Sequence, residues 1–364
     1  MVFLHYIKLR FNVKYIRFII FLSCFICVFT SCSTDVDLYA DYKDVPIIYG
    51  MLNSRADTNY VKITRAFCGT NDNSIDANEV ALISDSSNYA EKLDVRIVEL
   101  KNAYGGHYNA TGRVFQLDTI TIHNKEEGAF YAPDQVVYYT TEPLNASSES
   151  ARYSYRLVVV KPDGDTVTAL TAMVGDEDFA IVSGSAHFQS GQTDEYGRIL
   201  FRADGVAPLY EIGMKFNYRE QISGREMRSR NVKRSFGTKP LYDYPKIEGT
   251  DNTYCQEYSI NWLFNALANA IGDDTVVDPE HPNVVRYFDD FVVTISAAGE
   301  DVYYYYLANH AQESNSAGLV SVYSNINGGY GLFSSRTTIK KEVRLSNLTK
   351  QELYAMTSWG FVEQ

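Results

Sequence analysis

The 364-residue chain carries 33 basic and 45 acidic side chains, for a formal net charge of −12, and 45% of its residues are apolar. That apolar share excludes a disordered chain. The negative balance argues against nucleic acid and anionic lipid surfaces as partners, because their phosphates repel it; at about 100–200 residues per domain, the length accommodates two domains.

The chain opens with Lys8, Arg10, Lys14 and Arg17, and no acidic residue occurs before Asp35. An apolar run from Phe18 to Phe29 follows, and then Thr30-Ser31-Cys32. A basic region, an apolar core of about 7–15 residues and small residues before a cut are the parts of a secretory signal. The core is shorter than the about 20 residues that a membrane-crossing helix needs. Thr-Ser-Cys resembles a lipobox, so residues 1–31 are expected to be removed and Cys32 to become an acylated N-terminus, palmitate included. An ordinary signal peptide beside an unmodified Cys32 is the alternative. Residues 32–44 then form the lipidated cysteine and a short polar tether with Asp35, Asp37, Asp41 and Asp44.

Strand signals fill residues 45–175. Val45 to Leu52 is apolar, with Pro46 near its start, where a missing amide donor is tolerated. Tyr60 to Phe67 and Leu93 to Leu100 alternate apolar with polar residues, as half-buried strands do. Between Gly69 and Tyr89 the chain turns polar, with a short helix expected at Val80 to Ile83. Gly105-Gly106 marks a turn, and Val114 to Ile122 reads as one further strand. Arg152 to Val160 and Thr166 to Ala172 flank Asp163-Gly164, a strong hairpin signal. Short strands with such turns predict an immunoglobulin- or fibronectin-like β-sandwich over 45–175.

Residues 176–364 read as a second β-rich domain. Strands are expected at Ile199 to Ala203, Leu209 to Glu220, Glu226 to Phe236, Phe288 to Ala297, Asp301 to Ala308, Leu319 to Ile326 and Thr337 to Leu345. One packed helix is expected near 258–271, where Ile260, Leu263, Phe264, Leu267 and Ile271 recur at helical spacing before Gly272. The fold class is accordingly mainly β with one packed helix.

Two features suggest partner contacts. Lys215, Arg219, Arg225, Arg228, Arg230, Lys233 and Arg234 gather within one hairpin of an acidic chain. They read as a solvated strand face whose long stems cover apolar surface, or as a contact for an acidic partner. Tyr303, Tyr304, Tyr305 and Tyr306 form an unbroken run. Tyrosine joins an apolar ring to a wet hydroxyl, which suits strand faces and interfaces alike. The expected contacts are therefore Lys215, Arg219, Arg228, Arg230 and Tyr303 to Tyr306.

Catalytic chemistry has no positive signal. Asn325 to Phe333 is glycine-rich but lacks the Gly-Lys-Ser/Thr ending of a phosphate loop. Glycine there serves tight turning or close backbone approach. Asn71 to Asp76 and Asp273 to Glu280 offer oxygen ligands without EF-hand spacing, so a surface calcium stays open. His107, His123, His187, His281 and His310 are scattered, and no Gly-x-Ser-x-Gly elbow occurs. Cys68 and Cys255 permit one disulfide or two free thiols and lie in no metal-binding spacing. No cofactor, metal or catalytic residue is expected.

Val45-Pro46-Ile47-Ile48-Tyr49-Gly50-Met51-Leu52, Thr58 to Phe67 and Leu93-Asp94-Val95 recur in a familiar order after Cys32. Near the end stands Val322-Tyr323-Ser324-Asn325-Ile326-Asn327-Gly328-Gly329-Tyr330-Gly331-Leu332-Phe333. Together they resemble a large outer-membrane lipoprotein family of the Bacteroidetes, the domain of unknown function 4249, with its terminal "vysNIxxGxGiF" signature. Ser334-Ser335 departs from the small glycine or alanine residues that family members tend to have there. The family has no assigned catalytic residues to carry over. Its members are often encoded beside TonB-dependent outer-membrane receptors, which implies a part in surface uptake or assembly.

The expected protein is thus lipid-anchored in the outer membrane, on its periplasmic or surface-exposed face, and acts as a non-catalytic binding or accessory component. A surface glycan binder or hydrolase using carboxylates and aromatics is one alternative, and a structural or adhesive surface protein is another. One acyl chain holds a protein to a membrane only marginally, whereas several hold it firmly. Cys32→Ala should therefore shift the protein from the detergent-requiring membrane fraction to the soluble one, as fractionation and immunoblotting would read; retention in the membrane would refute acylation at Cys32.

Overall fold

The computed structural model describes residues 44–66, 87–103, 106–123, 134–148, 151–224, 227–271, 284–313 and 323–363. Cys32, Cys68, Arg225, His281, the helix expected at 80–83 and both calcium candidates lie outside the described residues. The chain is mainly β, with three helices of more than one residue among the described residues.

The first half contains β1 (Pro46–Leu52), β2 (Asn59–Arg65), β3 (Asp94–Asn102), β4 (Tyr108–Gln116), β5 (Asp118–Ile122), β6 (Gln135–Thr140), β7 (Tyr153–Val160) and β8 (Thr166–Ala172). β9 (Ala180–Ile181), β10 (Ser185–Ala186), β11 (Tyr196–Arg202), β12 (Leu209–Ile222), β13 (Met227–Pro240) and β14 (Thr253–Ser259) follow. Then come α1 (Trp262–Ile271), β15 (Val284–Ala298), α2 (Glu300–Glu313), β16 (Tyr330–Glu342), β17 (Arg344–Leu345), α3 (Asn347–Ala355) and β18 (Phe361–Val362).

A nine-stranded sheet runs β13-β12-β15-β16-β1-β2-β6-β5, with β18 beside β15. A four-stranded sheet, β4-β3-β7-β8, faces its N-terminal part. Smaller sheets join β14-β11-β9 and β10-β17. Ile48, Val61, Ile97, Phe115, Leu157 and Val167 lie in a first apolar core, filled from both facing sheets. The second core takes residues from Val174 onward, including Phe201, Phe216 and Phe291.

The two halves share one sheet because β1 pairs antiparallel with β2 on one side and parallel with β16 on the other. Partners run from Ile47↔Tyr330 to Leu52↔Ser335. The glycine-rich segment turns at Gly328 and Gly329 and from Tyr330 onward runs as the start of β16. At Gly331 (φ +121°) an added Cβ would stand 1.9 Å from the Ile48 carbonyl oxygen, so only glycine fits this approach. Asn325 completes the seam: its side-chain amide donates to the Phe333 carbonyl at 2.7 Å and its Oδ1 accepts from the Phe333 amide at 2.9 Å. Ile326 and Phe333 thereby enter the first core from the far end of the chain. Burying a ring such as Phe333 contributes about 1.5–3 kcal/mol.

A second tie is polar. The Asp204 carboxylate, 2% exposed, accepts the amides of Gly175 and Asp176 on one oxygen and of Val206 and Ala207 on the other, at 2.7–3.0 Å. Asp176, 4% exposed, accepts from the amides of Phe179 and Gly205 and from Arg152. Each aspartate thus caps the other's loop where the chain passes from β8 toward β11.

Three sequence expectations need correction. Val114 to Ile122 is two strands in different sheets: the chain crosses at buried Leu117, sending β4 to β3 and β5 to β6. Asp301 to Ala308 is helical, within α2. Gly299 ends β15 there, Glu300 and Asp301 favour a helix N-terminus, and Tyr304 Oη donates to Glu300 one turn back at 2.8 Å. Residues 323–326 are irregular, and 319–322 lie outside the described residues. The helix expected near 258–271 forms as α1, burying Leu263, Phe264, Leu267 and Ile271, but Tyr258 and Ser259 belong to β14.

Gly331→Ala should destabilise the protein by at least about 2 kcal/mol, because it adds both a clash and a strained backbone. Gly224 also has positive φ but faces open space, so Gly224→Ala should cost clearly less. Denaturant midpoints would read both, and equal midpoints would refute the β1–β16 register.

Candidate functional site

Alternation along β1 and β2 sends Ile48, Leu52, Val61 and Ile63 into the first core and Tyr49, Met51, Tyr60 and Lys62 to the opposite face. Tyr49 is 51% exposed and Tyr60 46%. With Leu332 and Arg336 of β16 they line an open groove of about 680 Å³ across the seam. Tyr60 and Tyr139 of β6 lie with ring centroids 6.4 Å apart, and exposed Ile120 of β5 extends the apolar strip. On the rim Arg336 pairs with Glu211 at 3.1 Å, and Lys62 donates to the neutral Gln135 amide oxygen at 3.0 Å.

The basic residues lie on β12 and β13, the latter the edge of the large sheet. Arg219 pairs with Asp289 at 2.7 Å and lies over the Tyr287 ring. Arg230 and the buried Arg286 grip opposite oxygens of Glu220, each at 2.9 Å. Arg286 also donates to the Trp359 carbonyl, fastening the C-terminal end of the chain to β15. Burial pushes the Glu220 carboxyl up, but the two guanidiniums outweigh it and hold the group below its ordinary value. Lys215 and Arg228 are exposed and make no ion pair among the described residues. Arg219 and Arg230 are thus satisfied within the sheet, and cations along an exposed edge also deter strand addition.

Tyr303 to Tyr306 do not join that cluster. Tyr306 Oη donates to the Thr238 carbonyl at 3.1 Å, near the Pro240 end of β13, while Arg228 and Arg230 lie at its other end, about 30 Å away along the strand. As helical residues the four tyrosines point in different directions. Tyr304 and Tyr305 are exposed, and Tyr303 lines a cavity between the halves.

That cavity, about 590 Å³, is bounded by Tyr108, Thr171, Pro208, Glu300, Asp301 and Tyr303. Tyr323 Oη donates to Asp301 at 2.9 Å, with Thr171 and Asn325 alongside. Burial pushes the Asp301 carboxyl above the usual carboxylate range despite these donors. Burial, followed by Asp301 itself, pushes the Tyr323 hydroxyl up as well. Tyr304 stacks between its neighbours, with centroids 5.7 Å from both Tyr303 and Tyr323.

Sequence reasoning missed the groove and Asp301. The groove was legible in principle, because alternation in β1 and β2 places Tyr49, Met51 and Tyr60 away from the core. Asp301 was hidden by reading its segment as a strand. Glu99, a deeply buried acid of the first half, accepts from Thr111, Arg113, Asn145 and Tyr155 and is occupied in holding the four-stranded sheet. Cys255 is a buried free thiol. Among the described residues no helix is long and apolar enough to cross a membrane. Models of known families and curated proteins give no match to this chain.

The folded-state pKa of Glu220 is depressed below its ordinary 4.5. Its contribution to stability is therefore fully present above about pH 4.5 and is lost as pH falls through the folded value. Glu220→Gln should be less stable than wild type at pH 7, and the gap should close toward pH 3. Melting curves across that range would read it, and a gap that does not narrow would refute the pairing with Arg230 and Arg286.

Proposed function

We propose that the protein is a lipid-anchored outer-membrane component that binds a neighbouring membrane protein and catalyses no reaction. The observation that carries this reading is the groove across β2, β1 and β16, where exposed tyrosines and a methionine lie on a sheet face. Tyrosine and methionine are enriched at protein interfaces, and binding energy concentrates in such anchors. The address is supported by the signal and lipobox-like end at Cys32. The short tether that follows would keep the sheet close to the membrane. The motif resemblance, running from Val45 to Phe333, favours a TonB-dependent receptor as the neighbour and uptake as the process.

Affinity capture after crosslinking in native membranes should recover an outer-membrane receptor or channel. Tyr49→Ser with Tyr60→Ser should reduce that recovery about tenfold, the effect of losing roughly 1.4 kcal/mol of binding. Because both side chains are exposed, melting should shift little. Recovery of the protein alone, together with binding or cleavage of a polysaccharide by the purified chain, would replace this reading with the glycan one.

A further inference from the structure

The cavity between the halves has a chemical character of its own. Two carboxylates, Glu300 and Asp301, and two aromatic rings, Tyr108 and Tyr303, face it, while Leu170, Val206 and Pro208 supply apolar wall. Among the described residues no basic side chain lines it, and neither carboxylate has a cationic partner. Elsewhere the buried acids are satisfied: Glu220 by two arginines, Glu99 by an arginine and three neutral donors, Asp204 by four backbone amides. Asp301 has only neutral donors and a second acid beside it.

An anionic ligand would be repelled here, and a neutral one would leave the shielded Asp301 with neutral donors only. A positive group of modest size meets every wall. Its positive charge offsets that of Asp301 with Glu300 adding to the attraction, its apolar substituents lie against Leu170 and Pro208, and the Tyr108 and Tyr303 rings that line the cavity can add cation–π attraction. We propose that this cavity is a binding site for an organic ammonium group. The chemistry is shared by a free amine, a quaternary ammonium compound and the lysine side chain of a partner. The site is separate from the groove on the large sheet and stands or falls independently of it.

Isothermal titration calorimetry with choline, putrescine and Nα-acetyl-lysine amide, set against glucose and acetate, tests the proposal on the soluble chain lacking residues 1–31. Saturable binding of at least one ammonium probe is expected, with no binding of acetate. Preference for choline would identify a quaternary ligand, preference for putrescine a free amine, and preference for the lysine amide a partner's side chain. Asp301→Asn should weaken binding about tenfold or more, and Tyr108→Ala about three- to tenfold. Tyr108 lies on the exposed face of an edge strand, so that variant should fold even if Asp301→Asn does not. Glu300→Gln, also exposed, provides a second electrostatic variant. The proposal is overturned if no ammonium probe binds, if glucose binds more tightly than all of them, or if the folded variants bind as the wild type does.

Discussion

The structure depends on one pairing, the parallel ladder between β1 and β16. Without it the large sheet would end at β1 on one side and β16 on the other, and each half would expose a strand edge. With it, residues separated by most of the chain share backbone hydrogen bonds, and Phe333 and Ile326 fill a core otherwise built from the first half. Such a contact closes a very long loop before it returns any stabilisation, and long-range pairing of this kind slows folding. The glycines around it follow from this demand. A side chain at 331 would occupy the position of the Ile48 carbonyl, which makes backbone geometry rather than ligand chemistry the reason for the glycine-rich motif.

The same seam organises the functional surfaces. The groove exists because β1 and β16 are adjacent: Tyr49 and Met51 come from one end of the chain, Leu332 and Arg336 from the other. The cavity exists because α2 turns back over the β8 edge, where Asp301 meets Tyr323 and Thr171. Both surfaces are thus assembled from distant segments. The basic hairpin, by contrast, is local, and two of its charges, Arg219 and Arg230, are paired with Asp289 and Glu220.

Local patterns in the sequence were readable where local physics decides. An apolar run marked β1, alternation marked β2, β3 and β12, Asp163-Gly164 marked the hairpin between β7 and β8, and the 3.6-residue period marked α1. Reading failed where a nonlocal contact decides. Tyr303 to Tyr306 have strand-like composition, but Gly299 and the two acids that follow it start a helix, and no nearby strand competes for the segment. Val114 to Ile122 looks continuous because its residues favour strands throughout. Only the pull of Leu117 into the core, between two different sheets, divides it. Asp301 escaped notice for the same reason, since a residue on an assumed strand could not be assigned to a cavity lined by β4, β8 and α2.

The position of β1 has a mechanical consequence. It begins two residues after the described chain starts, at the end that leads toward Cys32, and both of its long sides are hydrogen-bonded. A pull on the N-terminal end is directed along β1 and loads both ladders in shear, so many bonds must yield together. The same pull on a hairpin end would unzip bonds one at a time. Were the chain held by its N-terminal end, β1 would carry the load through both neighbouring strands at once.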